Sequence, residues 1–515
     1  MKTTTRTVAL VTGAVAMLVG PVVAVRALSG SDDERISVGA AAPASLVPGD
    51  VRDATGRMIA GAVWTGLVSY DPRTGAAVNA AAESITSDDR RVWTVRLRAG
   101  GRFHDGSAVT ADSFTGAWTA VLRERWHGAR LFTEVARVKG AAKAAETGRV
   151  AGLETVDART LRVTLDRPLT GFPALLGDPA FLPLPDAVLR SRDWRSYERL
   201  PIGNGPYRVR GHDQRETTLV RVGAKPEDRP IVVRTMPDAA RQYAAVQAGE
   251  LDVATRVPAE RHRFMETEFR GRHLIVQGRE TTYLAFPLRE KRFTSVTLRQ
   301  AMSMAVDRSA VTEGALGQQA SPAVSLVPAG VTLGRREGQC RMCVHDPAAA
   351  AAALSDAGGL TGPVTLWFDA TDEPAMRAVA QQLRDALKLD VRLKALPTAE
   401  YREALADERV DGPFMVHSAP AYPSPVAALA PVLGVPTGYR AKYPADLIAE
   451  AEDAATPDEG VVPARLAESA LLRDLPVTPL WYGHDHLVWS ERVRGVTADA
   501  FGGLRLDRLT IPKDG

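Results

Sequence analysis

The sequence predicts an α/β protein of more than one lobe, and three observations lead there. From Val364 onward the chain alternates strand, helix, strand, helix, strand, over 364–368, 374–388, Val391 to Ala395, 399–407 and 412–416. That βαβ order calls for a doubly wound sheet. Earlier, a helical stretch at 238–248 runs through Gly249 into an apolar strand at Leu251 and Val253, which implies a parallel or mixed sheet. Finally, 515 residues exceed what one hydrophobic core organises, so two or three lobes are expected.

The elements can be justified from the amino terminus. Residues 36–40 alternate as a short strand, and a loop follows at 43–50. Ile59, Ala62, Val63, Leu67 and Val68 then recur at helical spacing until Tyr70-Asp71-Pro72 ends the helix, since proline lacks a donor and disfavours helix before it. Trp93, Val95 and Leu97 alternate with Thr94, Arg96 and Arg98, marking a half-buried strand. Gly100-Gly101 breaks it and Asp105-Gly106 forms a tight turn. Thr110 caps a helix with Asp112 in its first turn, and helix is predicted onward to about Lys143. A strand is expected at 160–165. Gly203 and Gly205 free a turn that Pro206 stiffens before a strand at Tyr207 and Val209, with further strands at 217–222 and 231–235. This Gly-x-Gly has no strand before it and no helix after it, so it is not a dinucleotide loop. Residues 274–276 and 283–286 are apolar and extended. Leu298, Ala301, Met302, Ala305 and Val306 share one helical face, and Asp346-Pro347 caps an alanine-rich helix that stops at Gly358-Gly359.

Charge and composition exclude some functions. A net charge of +3, with 24% charged and 45% hydrophobic residues, belongs to an ordinary globular protein and provides no nucleic-acid surface. Lys2 and Arg6 precede an apolar run over 7–25 broken by Gly20-Pro21, the pattern of an export segment. The run is also long enough to span a bilayer uncleaved, so cleavage and anchoring both stay open; 29–34 reads as a polar linker. The only cysteines, Cys340 and Cys343, form Cys-x-x-Cys. In an exported chain a local disulfide is the leading reading. With His345 they offer zinc only three ligands, and their loop context departs from a redox motif. His484 and His486 share one side of a strand as a possible metal pair, but the position past a closing strand favours a solvent-facing role. No Gly-x-Ser-x-Gly, Walker or His-Glu-x-x-His motif is present, so no enzyme, metal or cofactor is predicted.

Several segments together carry a resemblance. The order Trp93 … Leu97-Arg98 … Phe103-His-Asp-Gly106 … Val109-Thr-Ala-Asp112 is similar to the signature of the family 5 extracellular solute-binding proteins, which feed peptide and nickel ABC importers. Leu67-Val-Ser-Tyr-Asp-Pro72, Pro201-Ile-Gly-Asn-Gly-Pro-Tyr207, Gly249-Glu-Leu-Asp252, Leu298-Arg-Gln-Ala … Asp307-Arg308, Asp346-Pro347 … Ala357-Gly358 and Leu475-Pro-Val-Thr-Pro-Leu-Trp-Tyr482 match further segments in the same order.

The resemblance implies a fold like the type II periplasmic binding proteins: two doubly wound lobes joined by a hinge, with an extra lobe inserted in the first. It assigns 1–34 to the export or anchor segment, 35–77, 183–277 and 483–515 to lobe I, 78–182 to lobe II and 278–482 to lobe III. It implies an exported monomer that closes on a small peptide or other small solute and delivers it to an ABC permease and its ATPases, with membrane association through the amino-terminal segment. The ligand-lining positions it implies are Arg52, Asp53, Ala54, Tyr401, Ala421, Tyr422, Trp481 and Tyr482. Within His417-Ser-Ala-Pro-Ala-Tyr-Pro-Ser-Pro425, Ala421 stands where peptide binders of the family carry an aspartate for the ligand's amine. Arg52 can pair with an anionic group, and Asp53 can take over the amine. The alternative is a degenerate member acting as a surface sensor or interaction protein for a non-peptide ligand. A hydrolase on the same scaffold lacks a nucleophile and base.

Overall fold

The computed structural model describes residues 35–512, apart from 72–73, 226–227, 332 and 334. The expected export or anchor segment, 1–34, lies outside the described residues. Among those described, no helix is long and apolar enough to cross a membrane.

Lobe I begins with β1 (Ile36–Ala40), buried along its whole length. Both faces of this strand are covered, as its run of apolar and small residues requires. Helix Ala54–Val63 follows, then a hairpin of β2 (Val68–Tyr70) and β3 (Ala77–Asn79). Lobe II is a four-stranded antiparallel sheet of β4 (Ala82–Thr86), β5 (Val92–Leu97), β6 (Leu153–Asp157) and β7 (Thr160–Thr164), ordered β4-β5-β7-β6. Helix Ala111–Arg123 packs on it with Phe114 and Trp118 fully buried. The sequence predicted helix to about Lys143. The structure ends this helix at Arg123, because Arg125 turns to φ 54° and the following Gly128 approaches Gly49 and Ala180 too closely for any side chain.

The chain then returns to lobe I through β8 (Tyr207–His212), β9 (Glu216–Arg221), β10 (Ile231–Thr235) and β11 (Val253–Ala254). β1 pairs in parallel with β10 and β11, while β8, β9 and β10 pair antiparallel, so the sheet is mixed. It crosses to lobe III on β12 (His273–Ala285), which is followed by β13 (Ala320–Pro322), β14 (Val364–Asp369), β15 (Val391–Leu396) and β16 (Phe414–Ser418). β14 pairs in parallel with both β15 and β16, as the βαβ pattern demands. The chain recrosses on β17 (Val477–Trp489), antiparallel to β12. One sheet thus runs through both lobes in the order β15-β14-β16-β12-β17-β11-β1-β10-β9-β8.

The segment after β17 is locked to lobe I. Arg492 Nε donates to Asp252 Oδ1 at 2.6 Å, and Ser37 N and Oγ donate to Asp252 Oδ2 at 2.8 and 2.9 Å. Burial opposes the charge on Asp252, but these donors outweigh it and hold the carboxyl below its usual range. Past that anchor the chain brings Phe501 to the cavity between the lobes.

Candidate functional site

A cavity of about 420 Å³ lies where the lobes meet. Lobe I contributes Val51, Arg57 and Phe501; lobe II contributes His127, Gly128, Arg130, Leu131 and Asp178. The crossing strands contribute Gly278, Arg279 and Glu280 from β12 and Gly483, His484 and Asp485 from β17, and Ala419, Pro420 and Ala421 close it from lobe III. Its volume falls near the lower end of the range for small-ligand sites, about 300–1,000 Å³.

The crossing strands aim their charges into the cavity through an irregularity. The β12–β17 register shifts between Gln277 and Thr281, leaving Gly278, Arg279 and Glu280 as a bulge. Bulges re-aim side chains beside functional sites. Gly278 is required there, because a Cβ would lie 2.1 Å from the Gly483 carbonyl oxygen.

Arg279 is only 6% exposed, and its Nη1 has no hydrogen-bond partner among the described residues. The ring of Phe501 covers it, with the guanidinium carbon 3.6 Å from the ring centroid. Burial draws its pKa down to about 10, against the nearby charge of Asp499 and ring hydroxyl of Tyr70, so it stays cationic at neutral pH. Phe501 is placed by a tight loop in which Phe501 N and Gly503 N donate to Asp499 Oδ1 at 2.7 and 3.0 Å. The other cation of this wall is already paired: Arg57 Nη1 meets Asp178 Oδ2 at 2.8 Å.

Asp485 faces the solvent of the cavity and accepts no hydrogen bond from a described residue. It is exposed to that solvent, yet desolvation by the surrounding walls raises its carboxyl pKa, and the like charges of Glu280 and Asp499 raise it further. Glu280 is partnered: its Oε1 lies 3.3 Å from His417 Nδ1, while Asp372 Oδ2 lies 3.1 Å from His417 Nε2. Burial disfavours the imidazolium, yet the two carboxylates overcome it and lift His417 to about 10. His127, lining the lobe II side, is shifted down by burial and by Arg130.

The structure gathers few of the positions the sequence implied. Ala421 lines the cavity. Arg52 and Ala54 are exposed away from its lining. Asp53 is not open to an amine, because it caps helix Ala54–Val63 through Gly56 N at 2.9 Å and also binds Ala44 N at 2.8 Å. Tyr401 is in the lobe III core, donating to the Met415 carbonyl at 2.5 Å. Tyr482 donates to the Ser325 carbonyl at 2.7 Å, and Trp481 packs in an adjoining core cluster. Tyr422 is 2% exposed and packs on lobe II, where only Gly171 leaves room for its ring. Beside it, Arg137 clasps Glu452 with contacts of 3.0 and 3.1 Å. Cys340 and Cys343 are joined as a disulfide. The expectation that His484 and His486 face solvent is corrected for His486: it is 4% exposed, with its Nε2 3.0 Å from His262 Nε2. Among the described residues no group of three or more metal-ligating side chains forms.

Sequence reasoning missed Arg279, Glu280, Asp485 and Phe501. The available signal was Gly278-Arg279-Glu280, a glycine and two charges interrupting an otherwise apolar extended run.

Comparisons with known proteins agree with this architecture. The glutathione-binding protein GsiB of Escherichia coli strain K12 is 26% identical over 371 residues, 69% of this chain and 67% of that protein. The periplasmic murein peptide-binding protein MppA of the same strain is 28% identical over 299 residues, 56% of this chain and 55% of that protein. Among solved structures, HbpA2 from Haemophilus parasuis superposes with a TM-score of 0.79 at 18% identity, covering 93% of this chain and 100% of that one. The unliganded open form of MppA gives 0.76 at 21% identity, covering 93% and 98%. Residues 76–439 match the middle region of the bacterial extracellular solute-binding proteins, family 5, and the chain belongs to that family.

Proposed function

We propose that this protein is the extracytoplasmic substrate-binding subunit of an ABC importer, and that it captures a peptide or peptide-like solute by hinge closure. The observation that carries this reading is the place and charge of the cavity. It sits where the lobes meet and contains a buried guanidinium with an unsatisfied nitrogen. A buried donor without a partner costs about 1–3 kcal/mol, a cost that a ligand offering a carboxylate removes. Relatives named for binding glutathione and murein peptide support a peptide.

In this reading 35–77, 183–277 and 483–515 form lobe I, 78–182 lobe II and 278–482 lobe III. The hinge is the β12–β17 crossing. The chain is exported, held at the outer face of the membrane or released, and works as a monomer that hands its solute unchanged to a permease and its ATPases. Cys340–Cys343 stiffens a lobe III loop.

Native mass spectrometry of the protein from its own host, with identification of the released mass, tests the reading. A bound peptide is the expected result. A bound non-peptide solute would favour a binding protein of other specificity. An empty cleft that takes up neither peptides nor small metabolites would favour a sensor or interaction role.

A further inference from the structure

The cleft holds two charged groups that the protein leaves unpartnered, and they have opposite signs. Arg279 is more than nine-tenths buried, lines the cavity, and has an Nη1 without an acceptor among the described residues. Asp485 lines the same cavity, where it is exposed to the cavity's solvent, and accepts no hydrogen bond from a described residue. The other charges on its inner walls are already engaged: Arg57 with Asp178, and Glu280 with His417. Arg130 is exposed on the lobe II side.

The two free charges come from the crossing strands, Arg279 from β12 and Asp485 from β17. Beyond the crossing strands, lobe III meets the cavity through Ala419, Pro420 and Ala421, which offer no charged side chain. Charge recognition therefore belongs to the hinge, and the moving lobe supplies an uncharged wall. A cation and an anion reserved in one small cavity fit a ligand that carries both charges itself. Burying either end of such a ligand without its counter-charge would be strongly unfavourable. The volume limits the ligand to a compact one.

We propose that the cleft selects a short peptide with both ends free, such as a dipeptide or tripeptide, whose carboxylate is bound by Arg279 and whose ammonium group is bound by Asp485. The assignment rests on the peptide reading above and adds to it the two residues that set ligand polarity. Both contacts lie on strands shared by the lobes, so the ligand docks on the hinge before lobe III covers it. Phe501, stacked on Arg279, holds the guanidinium plane for the incoming carboxylate.

The test uses the full-length chain and three probes: a random tripeptide pool with free ends, the same pool N-acetylated, and the same pool C-amidated. The readout is the probe concentration that half-maximally raises the melting temperature. For the wild-type protein, blocking either end is expected to raise that concentration about tenfold or more, since each block removes one charge pair. Asp485→Asn should bind the free and acetylated pools alike while still discriminating against the amidated pool. Arg279→Gln should show the converse. An unliganded melting temperature equal to wild type for each variant establishes that it is folded. An Asp485→Asn protein that keeps its tenfold preference for free amines overturns this assignment and leaves the peptide reading standing. A wild-type protein that binds none of the three pools overturns both.

Discussion

Arg308 in the lobe III core and Arg279 in the cleft are both buried guanidinium groups, and the protein treats them in opposite ways. Burial lowers the pKa of each, to about 9 for Arg308 and about 10 for Arg279. Arg308 is then fully used. Its Nε donates to the Pro479 carbonyl at 2.7 Å, and its Nη1 reaches the carbonyls of Ser303, Val306 and Cys343 at 3.1, 3.1 and 2.9 Å. Its Nη2 reaches the hydroxyls of Ser303 and Thr478, both at 3.0 Å. Arg279 has an aromatic ring on one face and an idle Nη1. A charge that the fold needs is satisfied by the fold. A charge that the fold buries and leaves unsatisfied is held for something else.

Substitution to methionine keeps the bulk of each side chain and removes its donors. Arg308→Met strands up to six acceptors and should cost about 3–5 kcal/mol of stability by chemical denaturation. Arg279→Met should change stability by no more than about 1 kcal/mol, since no hydrogen bond from its Nη1 is lost, yet raise the free-ended peptide concentration needed for stabilisation about tenfold or more. The reverse pattern would mean that Arg279 is structural.

His417 is a third charge near the cleft, and it is paired by the protein, bridging Glu280 of the crossing strand to Asp372 of lobe III. Its pKa is raised above that of an unfolded histidine, so its contribution to stability is complete below about pH 6.5. That contribution is lost as pH rises toward about 10. Denaturation midpoints should therefore fall over that interval in the wild-type protein, and fall less in His417→Gln. Equal slopes would show that the bridge contributes nothing.

Much of the fold is legible in the sequence because its signals are local. Val364, Leu366 and Phe368, the helix expected over 374–388, and Val391 with Leu393 announce a βαβ unit through periodicity alone, and the structure places them in β14, helix Glu373–Leu387 and β15. The long crossing strand was visible only as two apolar pieces, because the bulge at Gly278, Arg279 and Glu280 interrupts the pattern between them. The site was far less legible. Tyr401 and Tyr482 look alike in sequence whether they meet a ligand or a buried carbonyl, and the structure gives both to carbonyls. Arg279 carries no local mark of burial: its environment is assembled from Phe501, more than two hundred residues away, and from a strand crossing that only the tertiary fold creates. Ala421 has no carboxylate to offer an amine, and the acid expected to replace it, Asp53, is consumed as a helix cap; Asp485 is an acid of the cavity with no partner among the described residues.

If Arg279 is left unsatisfied for a ligand, a crystal structure of the protein loaded with a free-ended tripeptide will show the ligand's carboxylate within hydrogen-bond distance of Arg279 Nη1 and its amino group at Asp485. A peptide bound elsewhere, or one bound in the cleft with Nη1 still unpaired, would contradict it.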